Sequence, residues 1–300
     1  MKLHEAIEQY FLACRVNNIS PKTISGYQYF LNNFYNVVGD IPVNTLSPFH
    51  IRDFISNEMS RKHNRTGKEL SSESLNKAYS VVRAFCNWMV TEELIPSSPT
   101  NKTKPPRVDV DLPEALTKDE LARIFDYLDR FGSFRDKVIF EFFLDTGCRV
   151  GEVANLTLDD VYLTEGFAKV KGKGRREGIV PMGARLCHDL NLYITRHRRA
   201  PEEERGLFVS SKDPYHALTR DGIITLVKRV HRAVGIKGKY GPHKLRHTMA
   251  TQFIANGGDV AILRKILRHT NINVTQRYIN LVQNDVQEAH RLHSPLDRMM

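Results

Sequence analysis

Three hundred residues, 41% hydrophobic and 26% charged, describe an ordinary globular chain long enough for two domains. That balance excludes disorder and a disulfide scaffold, and no apolar run approaches the roughly 20 residues that span a bilayer. Against 34 Asp and Glu stand 44 Lys and Arg, a net charge of +10 that suits a polyanionic partner. Residues 1–112 hold 13 basic and 11 acidic side chains and the remainder 31 and 23, so a nucleic-acid partner is expected to be gripped hardest by the C-terminal part. Met1-Lys2-Leu3-His4-Glu5 meets charge too early for a signal peptide, and an intracellular chain is expected. Cys14, Cys86, Cys148 and Cys187 form no CxxC pair and are expected as reduced thiols.

The first hundred residues read as helices with short connectors. Leu3, Ile7, Phe11 and Leu12 recur at helical spacing before a break at Asn17-Asn18-Ile19-Ser20. Ser20-Pro21 starts a second helix, the hydroxyl capping free amides and proline suiting the first position, with the stripe Ile24, Tyr27, Leu31, Phe34. A third follows Ser47-Pro48 and carries Ile51, Phe54 and Ile55; a fourth carries Leu75, Tyr79, Val82 and Phe85 or Cys86. Between them runs a basic loop, Arg61 to Lys68. The prolines from Pro96 to Pro113 read as an extended linker. Thr117 and Glu120 then form a capping box that opens a mostly helical second part. Within it, 166–171 and 177–181 flank a Gly- and Lys/Arg-rich turn, a hairpin pattern, with a third strand near 161–163.

Four clusters in the second part could carry chemistry. Thr146-Gly147-Cys148-Arg149-Val150-Gly151-Glu152 lies where one apolar helix stops and another begins, and Arg149 there could aim its fork of donors at a phosphate or be a plain surface arginine. Gly172-Lys173-Gly174-Arg175-Arg176 would carry Lys173 out on a tight turn, but its spacing fails the phosphate-loop pattern. In His243-Lys244-Leu245-Arg246-His247 the residue after the first histidine is Lys244, where a zinc protease needs Glu, so no metal is expected. His243 and Arg246, three apart, share a helix face and make a paired donor set for an oxyanion; His247 reads as a buried, hydrogen-bonded histidine. Lastly, His269 and Tyr278 are nine residues apart across a loop, where a lone tyrosine is ordinarily core or interface.

Taken in order, Arg149, Lys173, His243-x-x-Arg246, His269 and Tyr278 resemble the catalytic signature of the tyrosine recombinases, the phage-integrase family. Ser20-Pro21-x-Thr23-x-x-x-Tyr27 is similar to that family's core-binding domain, and the likeness spans essentially the whole chain. Two positions depart from the pattern: Cys148 replaces an aliphatic, and Arg268 stands where Gly commonly precedes the histidine.

The resemblance implies a mainly α fold: a helical, SAM-like core-binding DNA clamp over 1–98, a linker over 99–112, and a catalytic domain over 113–300. The latter would be mostly helical with a small three-stranded β-sheet, and would end in a subunit-docking tail at about 283–300. It implies a site-specific recombinase that cuts and rejoins DNA through a 3′-phosphotyrosyl bond and a Holliday junction, without metal or cofactor. Tyr278 would be the nucleophile, Arg149 and Arg246 the phosphate clamp, and His243 and His269 hydrogen-bond donors, with His243 a candidate acceptor of the Tyr278 proton. Lys173 would be the general acid. Lys22, Arg61, Lys62, Arg65, Lys68, Lys77 and Arg83, with Arg175 and Arg176 at the hairpin tip, are the candidate DNA contacts. The expected partner is double-stranded DNA bearing specific recombination sites, held by a homotetramer, with a second recombinase as an open alternative. No membrane is expected, and the expected location is cytoplasmic, on the nucleoid. A type IB topoisomerase-like relaxing enzyme and an idle DNA-binding regulator are the competing readings, and chromosome-dimer resolution against mobile-element integration or excision stays open.

Overall fold

A computed structural model describes residues 1–62, 67, 69–107, 115–172, 177–238 and 241–268. The chain divides into two compact units, Met1–Asp111 and Leu112–Met300.

The first unit is built from α1 (Leu3–Val16), α2 (Pro21–Val38), α3 (Pro48–Ser60) and α4 (Ser72–Thr91). Local chemistry starts these helices where the sequence says it should. Ser20 accepts from the Thr23 amide with Pro21 following, and Ser71 accepts from the Ser74 amide. Their apolar faces meet in a core holding Phe34 edge-on to Phe54 at 5.3 Å and a cluster of Tyr10, Tyr27, Phe85 and Trp88. Leu12, expected on the buried stripe of α1, is instead 58% exposed. The inward row is Leu3, Ile7, Tyr10 and Cys14 with Phe11 beside it, and a residue directly after Phe11 is turned about 100° away from it.

The proline-rich stretch is extended only in part. Pro99–Lys102 forms a 3-10 turn with Pro99 and Thr100 buried, and the Tyr79 hydroxyl bonds the Thr100 and Thr103 carbonyls. Asn76 donates to the Pro106 carbonyl. Residues 99–106 are thus fastened to α4, whose side chains donate to the Thr103 and Pro106 carbonyls and add a further donor to the Thr100 carbonyl, which the Thr103 amide already meets.

In the second unit α5 (Lys118–Phe131), α6 (Phe134–Thr146) and α7 (Val150–Ala154) precede a sheet of β1 (Val161–Tyr162), β2 (Phe167–Lys171) and β3 (Glu177–Pro181). The sheet is antiparallel in the order β1-β2-β3, with Val161 opposite Ala168 and Val170 opposite Gly178. Then come α8 (Ala184–Leu192), which runs on as a wider π-turn through His197, α9 (Arg220–Ala233), α10 (Pro242–Ala255) and α11 (Val260–Leu267). The mainly helical class with one small sheet is therefore the observed one. Thr117 and Glu120 form the anticipated capping box on α5. α6 runs through the middle of this unit with Val138, Ile139, Phe140, Phe142 and Phe143 all fully buried. α10 lies against it, and Thr248 of α10 accepts the Leu116 amide, tying the start of the unit to its centre. All four cysteines are free, and among the described residues no helix is long and apolar enough to cross a membrane.

Candidate active site

Four helix ends converge in the second unit. α6 ends at Gly147, whose left-handed backbone (φ +61°) turns the chain without a side chain. Any other residue there is strained: the backbone is left-handed, and a Cβ would stand 2.7 Å from Leu267 Cδ2 and 3.1 Å from Met249 Sδ. Two residues on, Arg149 caps α7, and its amide donates to Glu152 Oε2 at 2.8 Å. α10 begins at Pro242, which places His243 and Arg246 on its first turns. α11 ends at Leu267.

Arg246 joins three of these ends. It is 6% exposed, and its two terminal nitrogens donate to the Gly147 carbonyl at the end of α6 and to the Leu267 carbonyl at the end of α11, the latter at 2.7 Å. A helix C-terminus leaves carbonyls without partners, and a planar fork of donors satisfies two of them while holding the guanidinium in one orientation.

Glu152 is the second hub. It is 3% exposed and accepts from Arg149 Nη1 at 3.1 Å and from Arg268 Nη2 at 2.6 Å. The Arg149 side chain remains 45% exposed, and among the described residues its other donors make no hydrogen bond. His243 keeps a solvent-exposed edge. Desolvation, then the positive charges of Arg246, Arg149 and Arg220, hold its imidazole below the ordinary 6.5, which favours the neutral form. The result is two cations beside an imidazole that favours its neutral form, an arrangement suited to binding a phosphodiester oxyanion and taking up a proton next to it.

Residues 114–285 match the phage integrase family, and residues 7–93 its N-terminal SAM-like domain. The chain belongs to the phage integrase family. It is a tyrosine site-specific recombinase, an enzyme that breaks and rejoins DNA. Tyrosine recombinase XerC of Thermodesulfovibrio yellowstonii is 27% identical over 304 residues, covering 97% of this chain and 98% of the relative. Tyrosine recombinase XerD of Oceanobacillus iheyensis is 28% identical over 303 residues, covering 98% and 99%. Among solved structures, a lambda integrase dimer bound to a COC′ core site aligns with TM-score 0.76 at 17% identity, covering 93% of this chain and 95% of that one. A lambda integrase tetramer bound to a Holliday junction aligns with TM-score 0.69 at 16% identity, covering 90% and 78%.

Of the six catalytic candidates, the integrase brings Arg149, His243 and Arg246 together, while Lys173, His269 and Tyr278 lie outside the described residues. β2 and β3 form the hairpin expected to carry Lys173, their ladder closing at the pair Lys171 and Glu177; Arg175 and Arg176 at its tip also lie outside the described residues, as does the tail at 283–300. His247 is buried, as its place on α10 suggests.

In the SAM-like domain Lys22, Lys62, Lys77 and Arg83 are exposed, Lys77 over the Phe30 ring at 5.9 Å. Arg61 is otherwise engaged: it pairs with the buried Glu58 at 3.0 Å and lies over Tyr29, so its first role is neutralising a carboxylate withdrawn from water. Arg65 and Lys68 lie outside the described residues. Two residues of this site carry no role in the sequence pattern: Glu152, and Arg268, which is there only a departure from the family's usual Gly. The spacing Arg149-x-x-Glu152 across a helix start was the available signal for the first; nothing local signalled the second.

Proposed function

We propose that this recombinase cleaves one DNA strand with the Tyr278 phenol, each other catalytic group having a separate task. The Tyr278 oxygen forms a bond to the scissile phosphorus as the bond from phosphorus to the 5′-oxygen breaks, leaving a 3′-phosphotyrosyl link and a free 5′-hydroxyl. His243 accepts the phenolic proton, for which the neighbouring arginines suit it by favouring its neutral form. Lys173 supplies the proton to the departing oxygen. Arg149 and Arg246 hold the non-bridging oxygens, where negative charge gathers in the transition state, and His269 adds a hydrogen bond. Because the phosphoester energy is kept in the protein link, a 5′-hydroxyl from a second duplex can reverse the step; one pair of such exchanges makes a Holliday junction and a second pair resolves it.

The observation that carries this reading is the placement of Arg149 and Arg246 around His243 by four converging helix ends, with Arg246 anchored on two carbonyls. In this reading residues 1–98 clamp DNA, 113–300 cut it, and 283–300 dock on a neighbouring subunit in a tetramer assembled on paired sites, in the cytoplasm and on the nucleoid. Four subunits are needed because two duplexes present four strands to be cut.

Sequencing DNA that the wild-type protein captures covalently defines the site, and nicked duplexes bearing it then give the test. The expected result is an adduct mapped by mass spectrometry to Tyr278, lost in Tyr278→Phe and unaffected by EDTA. An adduct on another residue, or loss of turnover with EDTA, overturns the mechanism. Relaxation of supercoils by a monomer without exchange between two sites would instead assign a topoisomerase.

A further inference from the structure

We infer that Arg268 is a positioning residue for the phosphate clamp: it neutralises Glu152 and so leaves the Arg149 guanidinium its charge and its remaining donors for the scissile phosphate. The inference rests on the reading of Arg149 and Arg246 as that clamp.

The argument starts from charge. Arg149 and Glu152 alone are a neutral pair, and Glu152 is almost wholly withdrawn from water, so its negative charge is little screened at the place where a phosphate must bind. Arg268 Nη2 reaches the same carboxylate at 2.6 Å, with its side chain only 22% exposed. The triad Arg149–Glu152–Arg268 therefore carries one net positive charge where the pair would carry none.

Backbone geometry makes this a built feature rather than a passing contact. Arg268 caps α11 in the left-handed conformation (φ +51°, ψ +46°), a place that glycine adopts far more readily. The turn ends the helix at Leu267, whose carbonyl accepts from Arg246. From there the Arg268 side chain crosses β3 at Gly178. A Cβ at 178 would stand 2.6 Å from Arg268 Cδ and 3.2 Å from Nη1, and the Gly178 backbone is not in the left-handed region, so its glycine serves space alone. One residue thus adjoins the carbonyl that orients Arg246, the carboxylate that orients Arg149, and the strand leading out of the Lys173 hairpin.

Three variants test this, assayed by single-turnover adduct formation on a nicked duplex bearing the captured site. Arg268→Gly relieves the backbone and removes the charge, and is expected to slow cleavage on the order of tenfold to a hundredfold. DNA affinity should hold, because contacts to many other phosphates dominate it. Arg268→Lys, which keeps the charge at the same backbone cost, recovers most of the rate. Gly178→Ala, which leaves every catalytic group in place but pushes Arg268 off β3, slows cleavage in the same direction and adds nothing when combined with Arg268→Gly. Wild-type rates in Arg268→Gly overturn the inference, as do equal losses in the Gly and Lys variants or additive losses in the double variant. Arg149→Ala separates the two levels. If it is inactive while Arg268→Gly cleaves normally, only this inference fails. If Arg149→Ala cleaves normally, the clamp reading itself fails.

Discussion

The two units bury different kinds of side chain. Around Phe34, Phe54, Phe85 and Leu31 the N-terminal unit closes on aromatic and aliphatic groups, and Glu58 is the one acidic or basic residue buried there among the described residues. The C-terminal unit buries Asp136, Glu141, Glu152, Asp160 and Arg246, with His231 and His247 besides. A charge taken out of water costs several kcal/mol unless it is paired and hydrogen-bonded. The first unit therefore holds its shape with little electrostatic strain. In the second, Glu152 and Arg246 offset that cost by setting the orientation of cations before DNA arrives, which is what electrostatic catalysis requires.

Substitutions can break this contrast. The largest effect should come from Phe54→Ala, which empties a fully buried position against Phe34 and should cost about 3–5 kcal/mol of stability in denaturant unfolding. Its adduct rate, measured under conditions where the protein stays folded, should match wild type. Glu152→Ala should cost about 3 kcal/mol, the low end for a broken buried pair because Arg149 stays 45% exposed, and should also slow cleavage. If Phe54→Ala changes the chemistry, or Glu152→Ala changes stability alone, the contrast does not hold.

Proton linkage sharpens it. His231 is fully buried edge-on to Phe140, and burial followed by the charge of Lys244 pushes it down to about 4. The unfolded chain takes up this proton from about 6.5 downward and the folded chain only near 4, so stability is complete above 6.5 and lost as pH falls between those values. His231→Leu should gain on wild type by about 3 kcal/mol between pH 7 and pH 4, read from urea midpoints across pH. Glu141 has the opposite sign. Burial and the neighbouring Asp189 push it up to about 7, so stability falls as pH rises from 4.5 to 7, and Glu141→Gln should stabilise the protein at pH 8 but not at pH 4. The smallest effect belongs to the exposed lysines of the first unit. Lys22→Ala should leave stability unchanged and lower the salt dependence of DNA binding by about one counterion, measured by titration at several salt concentrations.

Much of the fold was legible because its signals are local. Ser20-Pro21 and Thr117 with Glu120 each meet the needs of a helix start within a few residues, and 166–171 and 177–181 carry a hairpin pattern; the helices start, and the strands pair, where those residues stand. Leu12 was misplaced because adjacent apolar residues on a helix compete for one face, and packing against α2 and α4 chose Phe11. In residues 99–106 the local start signal Ser98-Pro99 is masked by the run of prolines, and the donors of Asn76 and Tyr79 that fasten the stretch lie more than 20 positions away.

For the active site, the residue order alone shows which groups are available: arginines, a lysine, histidines and a tyrosine in an order that resembles one family, on helices whose caps can be read. Folding the whole unit is what anchors Arg246 on the ends of α6 and α11 and shares Glu152 between Arg149 and an arginine 116 residues away. Helix starts are settled by neighbours within a turn. The pairing of buried charges depends on which chain ends meet, and that follows from packing the whole unit.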